Sequence, residues 1–144
     1  MPLTYKEKVK TNIKIKIMST NESVYNQHAE NTEWTSKLKF YKDEVVILTG
    51  RLEEIASKNS SNDALAEVER YQNQFIIQRN NIDEIAHLVN LNEQALIEVI
   101  KSNPVAVDHR KVEYHSKERE LVESFESNFN NIREDFNRFA SKWM

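Results

Sequence analysis

Four histidines and no cysteine bound the chemistry open to this chain. Without cysteine there is no thiolate nucleophile, no thiolate metal site and no disulfide framework. The constellation that remains is His115-x-x-Glu118, whose spacing places an imidazole and a carboxylate on one helix face. His28, far earlier in the sequence, is the third candidate ligand. Imidazole and carboxylate together suit divalent metals, and helical bundles hold such sites between facing helices. Carboxylate-bridged di-metal bundles, however, use a pair of Glu-x-x-His motifs on separate helices, and this chain has no such pair. A haem or hemerythrin-type centre needs more converging histidines than four spread over the chain. His28, His115 and Glu118 therefore stand as the alternative reading, and the leading expectation is no metal and no cofactor.

The second reading of the same residues is structural. Gln27, Asn31, Asn92, His115 and Glu118 all fall on positions of a helical seam where leucine would be usual. Polar groups at one height on three helices fix register by pairing with one another, at a cost in stability. The pairs His87 with Asp83 and Glu84, and Asp108-His109, read as solvated surface and a cap. Phe125, Phe129, Phe136, Phe139 and Trp143 recur at core spacing, so they read as core. One glycine in 144 residues leaves no G-x-G-x-x-G, phosphate loop or nucleophile elbow. The chain is expected not to be an enzyme.

These residues need long elements to hold them. From Val24, steps of three and four give Gln27, Asn31, Trp34, Leu38, Tyr41, Val45, Leu48, Leu52 and Ile55, apolar without a break from Trp34 onward. A second seam runs Val68, Tyr71, Phe75, Gln78, Ile82, Ile85, Val89, Asn92, Leu96, Val99. A third runs His115, Glu118, Val122, Phe125, Phe129, Ile132, Phe136, Phe139, Trp143. The spacing predicts an all-α, antiparallel bundle of three long helices, about 20–57, 63–102 and 107–143, with coiled-coil-like seams. Ser19 and Glu22 have capping-box spacing for the first helix. Ser61, Asn62 and Asp63 can cap the second, Asn103-Pro104 stops it, and Asp108 can cap the third. Gly50, inside the first helix, reads as a close approach by a neighbouring backbone.

Residues 1–18 look different. Residues 1–17 hold five lysines and one glutamate, while the rest carries 15 basic and 22 acidic residues. Ile13-Lys14-Ile15-Lys16-Ile17 alternates with period two, a strand signal. A basic tail outside the fold, a strand pairing with a second copy, and an upstream extension before Met18 all compete, and 19–144 is taken as the bundle domain. The acidic body argues against nucleic acid. No run approaches the roughly 18 apolar residues of a membrane span, and with no cysteine the chain reads as cytoplasmic.

Ile77, Leu88, Leu91 and Ala95 lie off the second seam and widen its apolar face. That width predicts an interface, with a second copy of the chain or with another helical protein. The leading functional expectation is a self-associating interaction or scaffold protein, with a metal- or ligand-binding bundle at His28, Asn92, His115 and Glu118 as the alternative. The stretch His28, Asn31, Thr32, Glu33, Trp34, Ser36, Lys37, Leu38 and Phe40 through Glu44 resembles a group of short bacterial helical proteins of unknown function. Asp108-His109-Arg110-Lys111, Phe125 and Lys142-Trp143-Met144 extend the resemblance, which covers about 22–144. It implies a folded unit after Met18 and carries no activity.

Overall fold

The computed structural model describes the backbone of residues 4–102 and 109–143, with side chains at 4–7, 24–102 and 115–143. Three helices make up this structure: α1 (Tyr5–Lys58), α2 (Asn62–Ser102) and α3 (His109–Trp143). The expected all-α bundle of three long helices is the fold observed, and no strand occurs among the described residues. Residue pairs across the seams set the directions. Lys42 meets Asp83 and Asn31 meets Asn92, so α2 runs against α1. Glu30 meets Arg119 and Glu44 meets Arg133, so α3 runs parallel to α1.

The seams bury as their spacing dictates. On α1 every seam residue from Val24 to Ile55 is buried except Tyr41, which is half-buried; Val99, Ile132 and Trp143 are the corresponding exceptions on α2 and α3. One apolar cluster runs from Trp34 to the turn between α1 and α2. Tyr41 packs edge-on to Phe129 with centroids 4.9 Å apart, and Tyr71 meets Phe136 at 5.4 Å. Aromatic pairs in these arrangements are favourable beyond the area they bury.

The turn is three residues long and closes the bundle. Ser61 caps α2, its hydroxyl accepting from the Ala64 amide at 3.2 Å. Asn59 donates to the Ile55 carbonyl at 2.8 Å and the Trp143 carbonyl at 3.1 Å. One amide thereby satisfies free carbonyls at the C-terminal ends of both α1 and α3. The expected stop at Asn103-Pro104 and the Asp108 cap lie outside the described residues.

The start of α1 corrects the sequence reading. The helix begins at Tyr5, not near residue 20, and passes through Ile13–Ile17 and Ser19 without a break. Its capping box is Thr4 with Glu7: the Glu7 amide donates to the Thr4 hydroxyl, and the Thr4 amide to the Glu7 carboxylate. Thr-x-x-Glu at 4–7 is the same signal as Ser-x-x-Glu at 19–22, and it comes first. Once a helix is nucleated, each added residue is cheap, and no glycine or proline interrupts residues 5–49. A five-residue alternation does not overcome that. Gly50 is a second correction. Apart from its chain neighbours and its own helical turn, no atom among the described residues lies within 4 Å of where its Cβ would stand, so no other described backbone approaches it.

The register places the end of α2 level with about residue 20 of α1, leaving the first turns of α1 beyond it. Removing residues 1–17 is expected to cost the helical signal of residues 5–17 while lowering Tm by less than about 5 °C. Circular dichroism melting checks this, and a larger loss of Tm would show that the stretch packs into the fold.

Candidate functional site

The five residues expected to form a polar layer are all buried: Gln27, Asn31, Asn92, His115 and Glu118. The 3-4 spacing aims them inward whatever their chemistry, because a helical seam repeats by position and not by polarity. Two hydrogen-bonded chains leave this end of the bundle. One joins α1 to α2. The Asn31 amide donates to Asn92 Oδ1 at 2.9 Å and to Glu93 Oε2 at 3.0 Å, and the other Glu93 oxygen meets His28 Nδ1.

The other chain joins α1 to α3. Arg119 grips Glu30 with both Nε and Nη2, at 3.0 and 2.6 Å, the two-point geometry that makes such pairs strong. His115 Nε2 lies 3.3 Å from the same carboxylate, and its ring stacks on Trp34 at 4.8 Å. The Arg119 hydrogen bonds hold the Glu30 carboxyl below the usual carboxylate range. Burial pulls His115 below the usual imidazole value, against the opposing pull of Glu30. Among the described residues its Nδ1 is buried without a hydrogen-bond partner, which suits a neutral ring whose bare nitrogen faces inward.

Glu118 joins neither chain. It is 2% exposed, and neither carboxylate oxygen has a hydrogen-bond partner among the described residues. Burial alone pushes its pKa up to about 8. A buried ionised carboxylate with no partner is costly, so the group takes up a proton instead.

The metal alternative is not assembled. His28 is half-exposed and turned to Glu93 on α2, while His115 turns to Glu30. Among the described residues no three His, Asp or Glu side chains come together in a manner that could hold a metal ion. The single Glu-x-x-His spacing, Glu84 to His87, lies on exposed surface.

Sequence reasoning missed Glu30, Glu93 and Arg119, the charged residues that flank the layer and tie it to neighbouring helices. Their signal was present as spacing. Glu30, Lys37 and Glu44 repeat every seven residues on α1, and Arg119, Glu126 and Arg133 do so on α3. Each faces its counterpart: Glu30–Arg119 at 2.6 Å, Lys37–Glu126 at 3.3 Å, Glu44–Arg133 at 2.7 Å. Positions bordering a seam carry such interhelical pairs, and the pairs set helix orientation. Gln78 was placed on the seam of α2 but not recognised as polar core; its Oε1 is buried without a partner.

The described residues thus form an all-α bundle of three long helices with a buried polar end. Protein-family models, curated proteins and solved structures offer no match to the chain. Among the described residues no helix is long and apolar enough to cross a membrane.

Glu118 has a readable consequence. Its folded pKa is raised, so between about pH 4.5 and about pH 8 the folded chain holds a proton that the unfolded chain releases. The stabilisation is full below about pH 4.5 and is lost as pH rises through about 8. Glu118→Gln is expected to flatten this dependence and to raise Tm at pH 8 by roughly 5 °C, on the order of 2 kcal/mol. Thermal melts from pH 5 to pH 9 check it, and parallel pH curves for the two proteins would refute it.

Proposed function

We propose that this chain is a non-enzymatic, cytoplasmic interaction protein that acts by associating with itself. One observation carries the reading. The register set by Lys42–Asp83 and Asn31–Asn92 brings residues 46–47 of α1 level with 76–77 of α2. At that height four branched apolar side chains lie outside the core: Val46 is 68% exposed, Ile47 62%, Ile76 59% and Ile77 52%. Val46 and Ile76 line one groove between α1 and α2, and grouped exposed apolar side chains on a chain that is 30% charged are a usual mark of a protein-binding surface. A second copy is the commonest occupant of such a surface.

The line expected from sequence contributes in part. Ile77 belongs to this group and Leu91 is exposed two heptads further on, whereas Leu88 and Ala95 are half-buried. Leu88 borders a groove shared with Leu121 and Phe125 of α3, so the bundle itself uses some of the extra apolar width.

Replacing exposed side chains leaves the fold near its original stability, typically within about 0.5 kcal/mol. Light scattering at high micromolar concentration is expected to return a multiple of the 17.0 kDa chain mass. The double substitution Val46→Lys with Ile76→Lys is expected to return a single chain of unchanged helical content. A 17.0 kDa mass for the unaltered protein removes the reading.

A further inference from the structure

Gly50 is the only glycine in the chain, and nothing within the fold requires it. Its backbone is ordinary right-handed helix with no positive φ, and the space beside its Cα is open. Glycine in a helix interior lowers stability relative to alanine, so its use here answers to something outside the monomer. It lines a groove of about 650 Å³ between α1 and α2, floored by Phe75 and Val45 and edged by Val46 and Ile76. The exposed Val46 and Ile76 therefore flank a notch where a neighbouring surface can come close.

The charges at the groove name the occupant. Arg79 lines it from α2 and Glu53 from α1. Arg79 is level with about residue 44 of α1, so the two are separated by roughly 13 Å along the bundle. Neither forms an ion pair among the described residues, while Lys42, the other basic side chain of the groove, is held by Asp83 at 2.7 Å. An isologous contact brings a surface against itself with its ends exchanged. This groove has one free acid towards one end, one free base towards the other, and apolar side chains with a glycine between them. It is complementary to its own reversed copy.

We propose that the α1–α2 groove at Gly50 is the self-association face, closed by the same groove of a second copy, with Glu53 of each copy against Arg79 of the other. The inference rests on the self-association reading and adds its location and polarity. Electrostatic matching of this kind sets which surfaces pair and suppresses wrong ones.

The test uses the full chain in five forms, with mass followed by sedimentation velocity and folding by circular dichroism. Glu53→Arg and Arg79→Glu each place like charges in contact, and each is expected to weaken self-association at least about tenfold. A one-to-one mixture of the two restores opposite charges at both contacts and is expected to recover the dimer, as is the doubly substituted chain. Gly50→Leu, which has room in the monomer, is expected to keep the helical signal and lose the dimer. If the unaltered chain is a dimer and the single variants remain dimers of wild-type strength, this face is wrong and self-association stands. If the unaltered chain and the mixture are both monomeric, the self-association reading itself falls.

Discussion

Three helices, the shortest of them 35 residues long, touch along strips no wider than one side chain per turn, and everything else depends on those strips being in step. A seam that steps by three and four residues keeps to one face of a helix only while its neighbours keep the same phase. The core is consequently a stack of layers and not a globular centre. At the turn end the layers are aromatic and aliphatic, with Leu52, Ile55, Phe129 and Phe136 fully buried. Towards the other end they become amide, imidazole and carboxylate. Burying apolar side chains stabilises by about 1.5–3 kcal/mol each, so the turn end supplies most of the cohesion. The polar end supplies discrimination: Asn31 finds Asn92 only when α1 and α2 are aligned.

At this end the charged groups bordering the layer pair across helices, Glu30 with Arg119 and Glu93 with His28, while burial drives Glu118 towards the protonated form. His28 and His115 are claimed by different glutamates.

Much of the fold was legible because the 3-4 repeat is a geometric property of residue type alone. The buried positions of α1 from Val24 to Ile55 follow from spacing, and so does the burial of Gln27, Asn31, Asn92, His115 and Glu118. What stayed hidden falls into two kinds. The start of α1 rested on a competition between two capping boxes, Thr4 with Glu7 and Ser19 with Glu22, that local rules score alike; elongation through Ile13–Ile17 decided it. The partners Glu30, Glu93 and Arg119 depend on which face of each helix borders which neighbour. Three helices can be arranged with either hand, and the seam pattern is the same for both. The open space at Gly50 belongs to the same class, since an empty volume leaves no mark in a sequence.

The ladder between α1 and α3 alternates in sign along its length, acid–base, base–acid, acid–base, and this sets a rule for which changes in length the chain can accept. Sliding α3 by seven residues would keep its seam facing inward yet bring Glu30 towards Glu126 and Lys37 towards Arg133. Only a displacement of fourteen residues returns acid to base, and it then keeps a single rung. The inward phase of the seam survives insertion or loss of one heptad; the charge repeat does not. Over the span from Glu30 to Glu44, a seven-residue insertion in one helix must therefore be matched by a compensating one in its parallel neighbour.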